Sequence, residues 1–141
     1  MAGAALGRKA LLELLSATPP LVEDMVDAEA QVQPNGIDLT VRSVARFASA
    51  GQLGEAAQDR VLAKLEPLEF PPSGYLKLGP GPYLITYNEV VNLPRDIMAL
   101  GRPRSSLGRC GVSVHTAVWD AGYSGRSQSL LVVYNLLGFR L

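Results

Sequence analysis

Tyr75-Leu-Lys-Leu-Gly-Pro-Gly-Pro-Tyr-Leu-Ile-Thr-Tyr87 decides how the chain folds. Two short apolar and aromatic runs flank Gly79-Pro-Gly-Pro82, so the stretch reads as strand, turn and strand. Working outward, Gly36-Ile-Asp-Leu-Thr-Val-Arg42 alternates apolar and polar residues, as a half-buried strand does. Val90-Val-Asn-Leu-Pro94 marks another turn, and residues 97–100 a short buried strand. Residues 112–116 and 129–134 are further strands, separated by a turn at 122–125. Residues 45–63 are rich in Ala and Gln without a clear period, and read as strand edge plus loop.

The N-terminal part differs. Leu6, Ala10, Leu11, Leu14 and Leu15 recur at helical spacing, which predicts one amphipathic helix ending near Ser16 and closed by Pro19 and Pro20. Residues 21–33 are acidic and form a loop or partial helix. Many short strands with frequent Gly/Pro turns predict a mainly all-β fold, a jelly-roll-like barrel or sandwich with a short N-terminal helix. There is no internal repeat and no linker long enough to separate two domains, so residues 1–141 are expected to form a single domain.

Thirteen basic residues balance thirteen acidic ones. That balance argues against a general nucleic-acid or membrane-surface binder, which would need a basic excess, but leaves room for a small anion held by a few local cations. Hydrophobic residues make up 48% and aromatic residues only 6%, so the core relies on Val, Leu, Ile and Ala. One cysteine, Cys110, excludes an intrachain disulfide, and with one histidine, His115, it cannot assemble the ligands of a zinc deaminase. No run of about 18 apolar residues exists to span a membrane. The opening Met-Ala-Gly-Ala-Ala-Leu-Gly-Arg-Lys is a poor signal peptide, so a cytoplasmic protein is expected.

Three segments carry chemistry. In Gly101-Arg-Pro-Arg-Ser-Ser-Leu-Gly-Arg109, Pro103 suits a helix start, with two hydroxyls and the guanidinium groups of Arg104 and Arg109 beside it. Free amides, hydroxyls and guanidinium forks together make a site for phosphate oxygens, although the same residues read equally as a capped turn with solvated arginines. In His115-Thr-Ala-Val-Trp-Asp-Ala-Gly-Tyr-Ser-Gly125, Asp120 stands before a tight turn, where a carboxylate either orients a water or only caps the turn. Tyr123 reads as part of a site or as a core aromatic, His115 as a strand residue and Trp119 as packing. Asp38, between Ile37 and Leu39, faces away from them to hold an Arg or a metal-bound water, or to meet solvent.

Taken together and in order, Ile37-Asp-Leu39, Pro103-Arg-Ser-Ser-Leu-Gly108 and Val118-Trp-Asp-Ala-Gly-Tyr-Ser-Gly125 resemble the first three motifs of trimeric dUTPases and their dCTP deaminase relatives. Val91-Asn-Leu-Pro94 leading into the Arg-Ser-Ser-Leu segment is similar to the deaminase-like branch of archaea and bacteria; the resemblance covers about residues 30–141, with 45–70 aligning poorly. It implies a distorted jelly-roll β-barrel, a homotrimer, and Mg²⁺ held mainly by substrate phosphates with Asp38 near its water shell. It further implies that Arg104, Ser105, Ser106, Leu107, Gly108 and Arg109 grip a triphosphate. Asp120 would be the water-orienting base, and Tyr123 would pack under the deoxyribose. The backbone of Leu130, Leu131 and Val132 would read the pyrimidine edge.

The chain departs from that pattern in ways that choose between activities. Trp119 stands where the third motif normally has Ile before its Asp. The deaminase branch places a proton-moving Glu at the position of Val132, and no carboxylate side chain comes after Asp120 in this sequence. The reading is therefore dUTP hydrolysis to dUMP and pyrophosphate. The alternatives are a dCTP deaminase, alone or bifunctional, and a non-catalytic nucleotide-binding protein on the same fold. The chain ends in the apolar Asn135-Leu-Leu-Gly-Phe-Arg-Leu141, before any fourth or fifth motif, which suggests a sequence that stops short of the complete fold.

Overall fold

The computed structural model describes residues 3–141; Met1 and Ala2, which open the segment judged a poor signal peptide, lie outside the described residues. The elements in chain order are α1 (Arg8–Leu15), β1 (Val22–Glu23), α2 (Ala28–Gln31), β2 (Val32–Gln33), β3 (Gly36–Ile37), β4 (Val41–Phe47) and β5 (Leu65–Leu68). Further along are β6 (Lys77–Leu78), β7 (Gly81–Asn92), β8 (Ala99–Leu100), α3 (Ser105–Arg109), β9 (Val112–His115), β10 (Val118–Trp119), β11 (Ser124–Val133) and β12 (Phe139–Arg140). The mainly-β expectation is met. One six-stranded sheet runs β5-β4-β7-β11-β9 with β1 also on β7, and three two-stranded ribbons pair β10 with β8, β12 with β6 and β2 with β3.

The described residues group into two compact units: 3–42, Thr86–Leu100 and Ala117–Ser127 in the first, and Ser43–Ile85, Gly101–Thr116 and Gln128–Leu141 in the second. In the first unit, α1 forms as its leucine spacing predicts. It buries Leu11, and Ser16 closes it by returning its backbone N–H to the carbonyls of Leu12 and Glu13. The Arg8 guanidinium donates to the Val32 carbonyl, and the Leu21 N–H donates to that of Leu14 at 3.0 Å, tying the helix to the 21–33 segment. Residues 21–33 are more ordered than a loop. Val22 pairs with Val91. Asp27 caps α2 by accepting from the Ala30 N–H at 3.1 Å. The strand expected over 36–42 is interrupted, because at 38–40 the backbone bonds elsewhere: the Asp38 N–H to the Gln31 carbonyl at 2.9 Å, and the Thr40 N–H to the Glu89 carboxylate at 2.9 Å.

Two further expectations for this unit are corrected. Residues 90–92 are strand and not turn, since β7 continues to Asn92 on a strict alternation that buries Tyr83, Ile85, Tyr87, Glu89 and Val91. The chain reverses only after Pro94, whose carbonyl accepts from the Ile97 N–H at 3.2 Å. The strand at 97–100 shrinks to Ala99–Leu100, and it is not buried: Leu100 is 64% exposed. Its pairing with β10, Leu100 to Val118 and Ala99 to Trp119, nevertheless positions the segment that precedes Asp120.

In the second unit, β4 pairs with β5 from Val44–Leu68 to Phe47–Leu65, and the loop between them is pinched by a single bridge from Gln52 to Val61. Ribbon β6–β12 pairs Leu78 with Phe139, and the Leu76 and Leu141 backbones exchange bonds of 3.0 Å at its end. Its most deeply buried side chains are aliphatic. Val44, Leu78, Ile85, Leu131 and Val133 are almost wholly buried, consistent with a core that draws little on aromatic rings.

Candidate active site

Asp120 comes directly after a buried tryptophan at the end of β10, and its exposure leaves the carboxylate open to water. The turn beyond it is locally dictated. The Tyr123 N–H donates to the Asp120 carbonyl at 3.0 Å, and Gly122 supplies the left-handed φ of +81° that the reversal requires. Two backbone bonds fasten this turn: Gly122 N–H to the Pro94 carbonyl at 3.1 Å and Leu93 N–H to the Tyr123 carbonyl at 2.8 Å. Ser124 adds a third by donating its hydroxyl to Asn92 Oδ1 at 2.6 Å, while the Asn92 amide donates to the Pro20 carbonyl at 3.0 Å and to Glu23 Oε1 at 2.6 Å. β11 therefore begins at Ser124, earlier than the expected 129, and the turn lies at Asp120–Tyr123.

The Tyr123 ring is also held by its tip. Trp119 donates its indole N–H to Ser127 Oγ at 2.5 Å, and Ser127 donates to the Tyr123 hydroxyl at 3.1 Å. Trp119 and Ser127 are both buried, and Tyr123 is half-buried.

Asp38 occupies a half-buried position outside any strand, which corrects the expected placement. Gln31 donates its side-chain amide to the Asp38 carbonyl at 2.7 Å, and Gln33 donates to Asp38 Oδ2 at 3.3 Å. Behind this segment lies Glu89, with 0% exposure. Its carboxylate accepts from Gln31 Nε2 at 2.7 Å, from the Thr40 hydroxyl at 2.6 Å and from the Thr40 N–H at 2.9 Å. Three donors in a water-free setting meet the hydrogen-bonding demand of a buried acid. They also fix the backbone on both sides of Asp38. Sequence reasoning missed Glu89, Asn92 and Ser127. The available signal was parity, since Glu89 sits two residues from Tyr87 and from Val91 on an alternating strand and so points inward.

In the second unit, Arg104 through Arg109 share one short element, with Arg104 at the N-cap of α3 and Arg109 in its last turn. Every one of these residues except the half-buried Leu107 is exposed, and no acidic side chain occupies the first turn. α3 is closed by Gly111 at φ +73°, whose carbonyl accepts from the Tyr134 and Asn135 N–H groups at 2.9 and 3.1 Å. Leu130, Leu131 and Val132 lie on β11 opposite His115, Val114 and Ser113. Leu131 is buried, whereas Leu130 and Val132 are half-buried. In an antiparallel pair, alternate residues aim both backbone groups at the partner strand, so the three residues cannot all offer theirs to a ligand from one side. His115 is an exposed strand residue, as expected, with its ring 3.4 Å from the Tyr134 hydroxyl.

The sequence profile of the dCTP deaminase-like family matches residues 6–141, and the chain belongs to it. Among its relatives is a protein of Methanosarcina mazei named probable deoxyuridine 5′-triphosphate nucleotidohydrolase. It is 46% identical over 138 residues, which cover 98% of this chain and 81% of the relative. A protein of the same name from Archaeoglobus fulgidus is 50% identical over 121 residues, covering 86% and 71%. Among solved structures, the 2′-deoxycytidine 5′-triphosphate deaminase of Agrobacterium tumefaciens superposes with a TM-score of 0.67 at 25% identity. That match covers 91% of this chain and 42% of the deaminase chain.

Proposed function

We propose that this chain hydrolyses dUTP to dUMP and pyrophosphate. Relatives of that name at 46% and 50% identity support the assignment. The argument against deamination is chemical: no acidic residue comes after Asp120, and the resemblance to the deaminase branch would put that branch's Glu at Val132 on β11. An alkyl side chain neither takes nor delivers the protons that loss of an amino group requires.

Each residue has a proposed task. Asp120, exposed on its turn, accepts a proton from a water whose oxygen attacks the α-phosphorus; the bond to the β-phosphate oxygen breaks and pyrophosphate leaves. Arg104 and Arg109, with Ser105, Ser106 and the backbone of Leu107 and Gly108, bind the triphosphate oxygens and offset their charge. Tyr123 packs against the deoxyribose where a 2′-hydroxyl would project, and those backbone groups of Leu130–Val132 that the β9 pairing leaves available contribute to base recognition.

A divalent ion fits this set in one manner. Among the described residues no three His, Cys, Asp or Glu side chains cluster, so the protein supplies no cage of its own. The hard oxygen of half-buried Asp38 suits contact with one metal-bound water. Mg²⁺ held by the substrate's phosphates would supply charge neutralisation. The same proposal includes residues 1–141 as one domain, a distorted jelly-roll barrel, a homotrimer and a cytoplasmic setting. Among the described residues no helix is long and apolar enough to cross a membrane.

The deciding experiment incubates the protein with Mg²⁺ and either dUTP or dCTP, and assays pyrophosphate and ammonia separately. Pyrophosphate from dUTP without ammonia from dCTP is expected. Ammonia from dCTP overturns the assignment, and nucleotide binding without either product makes the chain a non-catalytic binder.

A further inference from the structure

We propose that Trp119 and Ser127 are specificity-determining positioning residues, whose hydrogen-bond chain holds the Tyr123 ring as an unyielding wall against a ribose 2′-hydroxyl. The inference rests on Tyr123 packing against the deoxyribose and extends that role to residues with no contact to substrate. Excluding a single hydroxyl by bulk works only if the excluding group cannot swing aside. A tyrosine on an exposed turn has two side-chain torsions by which to do so. Here the ring is tethered at its tip and flanked on one side. The phenol tip is bonded to Ser127 Oγ at 3.1 Å, and Ser127 is bonded to the Trp119 indole at 2.5 Å. The flank of the ring lies against Gly125: a Cβ there would meet the Tyr123 hydroxyl at 3.1 Å and Cζ at 3.4 Å. Trp119 is itself fixed by its pairing with Ala99 and by burial.

The chain of bonds also has a fixed start. An indole N–H only donates, so Ser127 accepts from Trp119, and its own hydroxyl bonds to that of Tyr123. The resembling family carries Ile at the position of Trp119, and an isoleucine cannot begin such a relay. This chain thus anchors its sugar wall with a residue that the general pattern lacks.

The test measures kcat/KM for dUTP and UTP in Trp119→Phe, Ser127→Ala, Tyr123→Phe and Tyr123→Ala, with thermal melting to verify folding. Trp119→Phe, Ser127→Ala and Tyr123→Phe should each lower the dUTP-to-UTP preference about tenfold, and Tyr123→Ala by more. The Trp119→Phe/Ser127→Ala double variant should lose little beyond either single variant, since both break one chain. Trp119 is the only tryptophan, so its fluorescence gives a second readout. Its emission should respond to dUTP in the wild type, and that response should shrink in Ser127→Ala and Tyr123→Phe. If Tyr123→Ala relaxes the preference while Trp119→Phe and Ser127→Ala keep the wild-type ratio, the inference fails and the sugar-packing role of Tyr123 stands. If Tyr123→Ala itself keeps the ratio, that role fails and takes the inference with it.

Discussion

Glu89 and Asp120 show how differently one functional group behaves in two settings. Glu89 is sealed from solvent with three donors aimed at it, so replacing it by Ala takes the carboxylate partner from the Thr40 hydroxyl, the Thr40 N–H and one N–H of the Gln31 amide, whose other bond goes to the Asp38 carbonyl. Each buried donor left unsatisfied costs about 1–3 kcal/mol, and a loss of roughly 3 kcal/mol or more is expected for Glu89→Ala. Urea denaturation at constant m-value measures it. Asp120 is exposed, and its carboxylate is not needed to satisfy a buried group. Asp120→Asn should therefore keep the melting temperature while hydrolysis falls about 10²–10⁴-fold, the scale of a lost general base. Turnover near the wild-type rate in that variant would remove Asp120 from the catalytic role.

At the scale of elements, the turns decide. Gly111 ends α3 in a left-handed conformation, and a Cβ there would come within 3.0 Å of the Asn135 Cβ. Gly111→Ala combines backbone strain with a steric contact, and should cost about 1–2 kcal/mol in a thermal or denaturant melt. On β11, Val132→Glu tests the missing deaminase acid: it should release ammonia from dCTP weakly or not at all, because the residues around it were not arranged to support a carboxylate. Ammonia release near the rate of the native hydrolysis would show that one side chain separates the two activities.

How legible these elements were in the sequence depended on where their backbone bonds go. The helix at Arg8–Leu15 and the strands through 83–87 and 112–115 carry their own period, and they stand where periodicity puts them. The break at Asp38–Thr40 was not legible, since it is imposed by Gln31 and by Glu89, the latter about fifty residues away in the chain. Asn-Leu-Pro at 92–94 carries turn-forming residues, but Asn92 spends its side chain on Pro20 and Glu23 and stays in the strand. For the candidate site, the three motifs pointed to Asp120, Tyr123 and the α3 segment as the residues proposed to act. The braces behind them were hidden because a buried serine or asparagine has no local pattern of its own.

For the molecule as a whole, charge and exposed apolar surface carry different messages. Equal numbers of acidic and basic residues give no general attraction to nucleic acid. Leu53, Leu62, Leu136 and Leu137 are each at least 76% exposed on the second unit. The proposed homotrimer gives such residues a place to be covered, and sedimentation equilibrium should return three times the chain mass. A single species at the chain mass would refute that assembly.

Cys110, the lone thiol, stands exposed at the C-terminal cap of α3. One maleimide dye per polypeptide can thus be attached at a known coordinate without engineering the sequence. In a trimer, three identical dyes would exchange excitation, so emission from fully labelled protein would be depolarised. Mixing it with unlabelled protein would restore anisotropy only as fast as subunits trade places. The same thiol would turn the lifetime of the assembly into an optical signal.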